Sequence, residues 1–256
     1  MTAPRQMSEA LIEAERERSP IAAFTRANPF VTVETAYQAQ SMLIEHRLRS
    51  GDRLIGAKLG LTSKVKRSAL GIHEPVYGRL TKSMLLPLGE QLQLSNLISP
   101  RAEPELAFLL GKSLSGDVTV NDVLNAVDVV LPAIEIVDSR FTGPIRLTDS
   151  IADNAGAARV ALGSQGRRPR ELVDLSVLGC VFRRPGGIDT AACGAVMGHP
   201  AIAISWLVGA LARRGEQLDE GAIILSGGLT TSFQLRAGDT VTVEFDGLSP
   251  LWVNCS

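Results

Sequence analysis

The sequence has few of the residues on which disulfide-rich and zinc-binding proteins depend. Its three cysteines, Cys180, Cys193 and Cys255, lie far apart, and no two of them form a CxxC pair. This pattern argues against a disulfide framework or a cysteine zinc site, and it predicts reduced thiols in a cytoplasmic protein. Histidines are also few, and neither His73 nor His199 has the spacing of a metal-binding pair.

An excess of one charge and a long apolar segment are lacking as well. The chain has 26 basic and 27 acidic residues, so a basic surface for nucleic acid is not expected. Its first twenty residues are charged and have no apolar core typical of a signal peptide. No apolar run is expected to reach the ~20 residues of a membrane span. A hydrophobic fraction of 45% over 256 residues predicts a soluble globular protein without a membrane partner.

The residue pattern changes near position 52. Helices are predicted over residues 8–19 and over 32–51, the second with Thr32 as its N-cap and Gly51 as its end. Further helices are predicted at 119–127 and 199–216. Strands are predicted at 53–60, 105–111, 131–138, 156–162, 176–184, 222–226, 240–246 and 249–254. We therefore expect a helical N-terminal part, 1–52, and a β-rich body, 53–256, that form one structural unit.

The stretch RAEPELAFLL, residues 101–110, reads as the beginning of a strand with two different faces. Because alternate residues of a strand share a face, Glu103 and Glu105 point to the same side, opposite a wholly apolar face. Pro104 between them suits a strand start or an edge. Neighbouring carboxylates repel unless a positive charge lies between them or one is protonated. A solvated strand end is the simpler alternative on these ten residues alone.

A third glutamate, Glu135, lies within the apolar stretch VVLPAIEIV, which is typical of a strand buried on both faces. An isolated buried carboxylate is costly, so this group is expected to be paired, metal-bound or protonated. An ion pair with a distant arginine or lysine is one explanation. A cation site shared with Glu103 and Glu105 is the other, and its oxygen ligands suit Mg²⁺, Mn²⁺ or Ca²⁺ rather than zinc.

Three further features are candidates for the same chemistry. Lys58 lies in an apolar, glycine-flanked strand, where it is a general acid or base or extends to the surface. Arg140, after the Glu135 strand, pairs with a substrate carboxylate or with a protein acid. The turn SGGLTT, residues 226–231, offers backbone N–H groups to an anion or is simply a turn.

Seven motifs occur together in the order GAKLGLTS, PVYGRL, PRAEPELAFLL, LPAIEIVDSR, DSIADNAG, GHPAIAISWL and IILSGGLTT. In this order the sequence resembles the hydratase/decarboxylase branch of the fumarylacetoacetate hydrolase superfamily, from about residue 30 to residue 256. The resemblance implies an α+β fold, namely a β-rich mixed sandwich or roll preceded by N-terminal helices. It implies Mg²⁺ or Mn²⁺ held by Glu103, Glu105 and Glu135, and a catalytic lysine at Lys58.

Two stretches bear on which reaction the resemblance implies. Hydratases of the branch typically have PDYG or PDFG where this chain has PVYG, with Val76 in place of the acid. Decarboxylases have PIYG there, and GGIT where this chain has Gly227, Gly228, Leu229 and Thr230. Val76, Arg140 and the loop residues Gly228, Leu229 and Thr230 are therefore expected to contact the substrate.

The implied reaction is metal-dependent decarboxylation of 2-oxo-3-hexenedioate to 2-hydroxypenta-2,4-dienoate, in meta-cleavage degradation of aromatic compounds. Hydration of 2-hydroxypenta-2,4-dienoate at the same site is the alternative. A non-catalytic partner that stabilises a related enzyme is an alternative of another class, but all four site residues are present. Hydrolysis of a C–C bond would need a histidine–glutamate pair, which is not evident. The resemblance also implies a homo-oligomer and association with a partner hydratase.

Overall fold

The structure, a computed structural model, describes residues 2–69 and 71–256. Its helices are α1 (Ala3–Glu17), α2 (Phe24–Ala27), α3 (Val33–Arg49), α4 (Lys64–Ala69), α5 (Val120–Ala126), α6 (Leu147–Ala152) and α7 (Pro200–Ala212). Its strands are β1 (Ile21–Ala22), β2 (Leu54–Gly60), β3 (Val76–Thr81), β4 (Leu85–Leu86), β5 (Arg101–Leu110), β6 (Val127–Val137), β7 (Phe141–Thr142), β8 (Ala157–Leu162), β9 (Gly179–Arg184), β10 (Gly187–Ala192), β11 (Ile223–Leu225), β12 (Phe233–Gln234), β13 (Thr240–Phe245) and β14 (Leu251–Asn254).

Side-chain caps fix the starts of the main predicted helices. The Thr32 hydroxyl accepts the N–H of Thr35 at 3.1 Å at the start of α3, and Thr119 and Asp122 form a capping box at α5. His199 caps α7 by accepting the N–H of Ala201. Helix α1 begins five residues earlier than predicted. A proline is tolerated in its first turn, because the N–H that proline lacks would have no partner within the helix there.

Each predicted strand has a counterpart in the structure, but the six-residue strands β3 and β10 and the two-residue strands β1, β4, β7 and β12 were not predicted. Every residue of β3 is buried, including Gly78 and Arg79, which interrupt the apolar pattern from which a buried strand is recognised. Strand β10 follows a tight turn from β9 and carries mostly small and polar residues. Both strands are therefore specified by their neighbours more than by their own sequences.

The main sheet has the strand order β3-β2-β11-β5-β6-β8-β4, with β12 beside β5. The β2–β11 and β4–β8 pairs are parallel and the other pairs are antiparallel, so the sheet is mixed. A turn of three residues, Lys82–Met84, joins β3 at one edge to β4 at the other. The sheet therefore curls into a roll, and β3 contacts β8. An antiparallel sheet of order β10-β9-β13-β14 packs on β6, which confirms the expected mixed sandwich or roll.

The two faces of the main sheet bury different cores. The larger core includes Phe108, Ile134 and Ile224, together with residues of α1, α3 and α7. A smaller apolar cluster on the opposite face contains Leu80, Met84, Ala107, Ala133, Ala157, Val160 and Leu225. Lys58 and the three glutamates alternate with residues of the larger core, so their side chains lie on the face of the smaller cluster.

The N-terminal helices pack on the sheet region through α6. Helix α1 contacts α3, α3 contacts α6, and β1 pairs with β7. Gln40 on α3 is buried, and its amide donates to the carbonyls of Tyr77 at 3.0 Å and Ile151 at 2.9 Å. Residues 2–52 are thus bound to the body by buried hydrogen bonds as well as by apolar contacts.

One described segment, Cys193–Ala212, is long and apolar enough to cross a membrane by length and composition, contrary to the expectation from the sequence. Half of this apolar stretch is buried inside the protein, and the segment ends in the core helix α7. A buried core helix can meet the criteria of length and apolar composition without crossing a membrane. All three cysteines are buried and free, as predicted.

The turn that closes the roll is held by Asp52. Its carboxylate accepts the backbone N–H of Ser83 at 3.0 Å, the Ser83 hydroxyl at 2.5 Å and the N–H of Arg53 at 2.8 Å. Partial burial alone would raise the pKa of Asp52, but the hydrogen bonds from Ser83, Thr81 and the backbone lower that pKa to about 2.

We predict that this carboxylate stabilises the fold above its ordinary pKa of 3.8, and that the contribution is lost as the pH falls toward 2. Because the group is part-exposed, the contribution is expected not to exceed about 1 kcal/mol. Urea unfolding of wild type and Asp52→Asn should differ at pH 6, and the difference should narrow as the pH falls from about 4 toward 2, with Ser83→Ala intermediate. A difference that is independent of pH would contradict the prediction.

Candidate metal centre

The register of two strands brings the three glutamates together. In the antiparallel β5–β6 pair, Glu103 lies directly opposite Glu135, and Glu105 lies two residues further along the same face. One oxygen from each carboxylate lies within 4.8 Å of the others. Glu105 and Glu135 are completely buried, whereas Glu103 is part-exposed. The solvated strand end, the simpler alternative for Glu103 and Glu105, does not describe this arrangement.

The buried oxygens of this cluster have little within the protein to satisfy them. Among the described residues, Oε1 of Glu105 and Oε2 of Glu135 accept no hydrogen bond, and Oε1 of Glu135 meets only the Lys58 ammonium. The other oxygen of Glu105 accepts the Gly227 N–H at 2.7 Å. Buried polar atoms are ordinarily satisfied, so these oxygens indicate a missing partner. A hard divalent cation such as Mg²⁺ fits both the all-oxygen donor set and the converging geometry.

Lys58 supplies the positive charge beside the cluster. Its ammonium is buried, donates to the Ala155 carbonyl at 2.8 Å and lies 3.1 Å from Oε1 of Glu135. Burial opposes the charged form, but the negative charges of Glu135, Glu103 and Glu105 outweigh it and raise the pKa of Lys58. Both alternatives for Glu135 therefore apply, because the residue is ion-paired and also belongs to the carboxylate cluster.

Burial raises the pKa of Glu105 well above its ordinary value, and the negative charge of Glu135 raises it further. Burial also raises the pKa of Glu135, although the Lys58 ammonium opposes this effect. The protein alone therefore holds more negative charge in this site than it neutralises. A divalent cation would compete with protons for the same oxygens.

The loop after β11 borders the carboxylates, as the SGGLTT turn suggested. Its Gly227 N–H donates to the Glu105 carboxylate. The anion bound by this N–H group is therefore a side chain of the protein itself. A side chain at Gly228 would come within 2.7 Å of Oε2 of Glu103, so it would displace this carboxylate from its position. Leu229 and Thr230 follow and are buried.

Pro104 lies inside a central strand rather than at the expected start or edge. Strand β11 pairs with residues 107–109 of β5 and β12 with residues 101–102, so neither covers Pro104. The Pro104 carbonyl accepts the Leu229 N–H at 3.1 Å across this gap. The missing donor of proline costs no ladder hydrogen bond here, because a loop passes instead of a strand.

Val76 and Lys58 lie on the same face of the β2–β3 pair, on either side of Gly60, and Val76 also lines a large cavity. A methyl group placed on Gly60 would lie 3.0 Å from a Val76 methyl and 3.9 Å from the Lys58 nitrogen. Val76 and Leu61 line a cavity of about 1170 Å³, whose wall also includes Trp206 and Arg214. Among the residues that the structure describes, neither Lys58 nor the three clustered glutamates line this cavity, so Val76 is what connects the cavity to the site.

Arg140 lies elsewhere. Its guanidinium is buried and bonded to the Asp153 carboxylate, and it donates to the Asp153 carbonyl at 2.7 Å. The acids that act on its pKa are Asp153, Glu15 and Asp138, none of which belongs to the cluster. The structure therefore does not bring Arg140 to a substrate position, because a protein acid already takes its charge.

Sequence reasoning did not identify Ala155 as a partner of Lys58. The contact is made by a backbone carbonyl, which no residue type reveals. Ala155 lies in the motif DSIADNAG, but nothing in that motif shows which side chain its carbonyl contacts. Its proximity to Lys58 depends on how the segment after α6 folds back onto β3.

Comparison with known proteins agrees with this arrangement. Residues 58–254 match the family model described as fumarylacetoacetate (FAA) hydrolase C-terminal. The chain is 37% identical over 254 residues to the 2-oxo-hept-4-ene-1,7-dioate hydratase of Escherichia coli, covering 96% of this chain and 95% of that protein. It is 38% identical over 223 residues to a 4-oxalocrotonate decarboxylase of a Pseudomonas species, covering 86% of each.

The solved structure of 4-oxalocrotonate decarboxylase from Pseudomonas putida G7, complexed with magnesium and adipate, superposes with a TM-score of 0.94. It is 31% identical to this chain and covers 99% of this chain and 97% of its own. The resemblance found in the motifs is thus confirmed over nearly the whole length. The chain belongs to the fumarylacetoacetate hydrolase family.

Proposed function

We propose that this protein is a Mg²⁺-dependent decarboxylase that converts 2-oxo-3-hexenedioate to 2-hydroxypenta-2,4-dienoate and CO₂. The observation that carries the proposal is a cluster of three carboxylates, with buried oxygens that lack partners, beside a buried lysine. This cluster lies in a fold that matches a decarboxylase solved with magnesium and a six-carbon diacid.

Glu103, Glu105 and Glu135 would hold the cation, with Mn²⁺ as a substitute for Mg²⁺. When bound, the cation supplies a Lewis acid that stabilises negative charge on oxygen atoms of the substrate. The part-exposed Glu103 lies on the accessible side of the cluster, whereas Glu105 and Glu135 form its buried floor.

Lys58 is positioned to serve the reaction as an orienting charge or a proton donor. An ammonium has three donor hydrogens. The Ala155 carbonyl and the Glu135 carboxylate accept two of them, which leaves the third to bond a substrate oxygen. In the reaction the bond to the distal carboxylate breaks, and its electrons shift through the C=C to the keto oxygen. CO₂ departs, and one proton completes the enol product. Lys58 is a suitable source of that proton or of charge stabilisation.

Val76 favours decarboxylation over the addition of water. Its buried isopropyl group shares a face of the β2–β3 pair with Lys58, separated from it by Gly60, where an acid would otherwise orient or activate a water molecule. Gly228, Leu229 and Thr230 are proposed to contact the substrate beside Glu103. Hydration of 2-hydroxypenta-2,4-dienoate is the second candidate, because the Escherichia coli relative of 37% identity is named a hydratase.

The biological setting that we propose follows from this chemistry. The protein would act in the cytoplasm, in meta-cleavage degradation of aromatic compounds, as a homo-oligomer that associates with a partner hydratase. A hydratase would consume the dienoate product directly. We further propose that residues 1–52 and 53–256 act as one structural unit, since Gln40 links them through buried hydrogen bonds.

The function is tested by incubating the purified protein with 2-oxo-3-hexenedioate and following CO₂ release. We expect release with Mg²⁺, its loss in EDTA and its recovery when Mg²⁺ is restored, because the carboxylate cluster needs a cation. Mg²⁺-dependent consumption of 2-hydroxypenta-2,4-dienoate without CO₂ release would instead identify a hydratase.

The metal ligands are tested by the neutral isosteres Glu103→Gln and Glu135→Gln. Each removes one negative charge from the cluster, so calorimetry should show Mg²⁺ binding weakened at least about tenfold, with turnover lost. Glu90→Gln changes an exposed glutamate and should bind Mg²⁺ as wild type does. Wild-type affinity and turnover in either cluster variant would contradict the assignment.

The role of Val76 is tested by Val76→Asp, with Val76→Asn as a polar control that cannot act as a base. We expect the aspartate to lower CO₂ release and to raise hydration of 2-hydroxypenta-2,4-dienoate, since it places an acid beside Lys58. Thermal unfolding would first establish that both variants fold. Equal hydration rates in the aspartate and asparagine variants would show that Val76 does not select the reaction.

A further inference from the structure

The turn that holds the Lys58 ammonium has an uncommon backbone. Asn154, Ala155 and Gly156 have φ values of 53°, 51° and 74°, so three successive residues lie in the left-handed region. Asparagine tolerates this region better than most residues, and alanine does not favour it. Something outside the turn must therefore hold it in this conformation.

The backbone of Arg79 on β3 provides that hold, through the side chain of Asn154. Its Oδ1 accepts the backbone N–H of Arg79 at 2.7 Å, and its amide nitrogen donates to the Arg79 carbonyl at 2.9 Å. Asn154 is completely buried, so both bonds are sheltered from water. A single side chain thus attaches the turn to the backbone of β3 in the manner of a neighbouring strand.

The strand opposite Lys58 leaves room for the turn. In the β2–β3 ladder, Lys58 lies opposite Gly78, the residue before Arg79. A side chain at Gly78 would come within 2.3 Å of the Asn154 carbonyl oxygen, so the turn occupies the space that this glycine leaves. The turn therefore lies beside Lys58, with the Ala155 carbonyl 2.8 Å from its nitrogen.

We infer that Asn154 is a positioning residue for the reaction, acting through the Ala155 carbonyl that fixes the Lys58 ammonium. The inference rests on the proposed function for its importance in turnover, but the positioning itself can be measured without a substrate. Without the bridge to Arg79, the Ala155 carbonyl would lose its place, and the ammonium would turn toward Glu135 or sample several positions. The carboxylates would be unaffected, because Asn154 does not bond to them.

The test uses Asn154→Gly, which keeps the left-handed backbone accessible and removes only the side-chain bridge. The control is Gln40→Ala, which removes another buried amide that bonds two backbone carbonyls near β3 and α6. The control does not touch the Lys58 turn. It therefore matches the loss of buried hydrogen bonds without the proposed effect on Lys58.

The first readout is the ¹H–¹⁵N signal of the Lys58 ammonium in Mg²⁺-loaded protein labelled at the lysine side-chain nitrogens. Lys58 is one of five lysines and is assigned by its loss in Lys58→Met. A buried, bonded ammonium should exchange its protons slowly. We expect this signal to shift or disappear in Asn154→Gly and to remain in Gln40→Ala.

The second readout is turnover at saturating Mg²⁺. We expect kcat to fall about 10- to 100-fold in Asn154→Gly, with Mg²⁺ affinity and KM changed less than about threefold, since displacing a catalytic group has that cost. Gln40→Ala should retain kcat within about twofold. If Asn154→Gly does not fold, Asn154→Asp keeps the acceptor for the Arg79 N–H and should retain part of the signal.

A Lys58 signal in Asn154→Gly that is unchanged in position and exchange rate would overturn the inference. So would a loss of the signal in Gln40→Ala equal to that in Asn154→Gly, because the effect would then be general loosening. Failure of wild type to release CO₂ would overturn the proposed function alone, since the lysine signal reports the positioning without any substrate.

Discussion

The structure depends on one electrostatic imbalance. Three carboxylates and one ammonium, all within a roll of sheet, leave two negative charges in excess when every group is ionised. An excess of that kind is expensive in an apolar interior and is not relieved by hydrogen bonds, because several of the oxygens have no partner. A divalent cation balances the charge and satisfies the oxygens together. The site is therefore costly without a metal and complementary to one with it.

The fold meets this demand through strand register rather than through loops. Glu103 and Glu135 are cross-strand neighbours, and Glu105 follows on the same face. The register of the β5–β6 pair therefore determines how the three carboxylates are arranged. The ladder is interrupted at Pro104, where the loop after β11 passes and its Gly227 N–H reaches Glu105. Rigid strands fix the three carboxylates that we propose as ligands, while the gap admits a loop next to them. That division suits a reaction in which the cation must be held firmly and the substrate exchanged.

Much of the site could be predicted from the sequence because its members are chemically conspicuous. A glutamate or a lysine in a buried strand needs an explanation, and the alternation of residues in β5 places Glu103 and Glu105 on one face without any structure. The pairing of Glu103 with Glu135 required the register, which single-strand patterns do not contain. Arg140 was predicted to contact a substrate carboxylate, but its guanidinium forms a buried salt bridge with Asp153, thirteen residues further along the sequence. Ala155 acts through its carbonyl, and β3 contains a glycine and an arginine, so neither could be recognised from residue type.

We propose that Glu103, Glu105 and Glu135 bind one divalent cation beside Lys58. The most direct measurement is anomalous X-ray diffraction from crystals of the protein grown with Mn²⁺. We expect a single strong anomalous peak within roughly 2.0–2.5 Å of one oxygen from each of the three glutamates, with the Lys58 ammonium adjacent but not bound to the ion. A protein that takes up no Mn²⁺ at this cluster, or that binds it only at a distant position, would contradict the account.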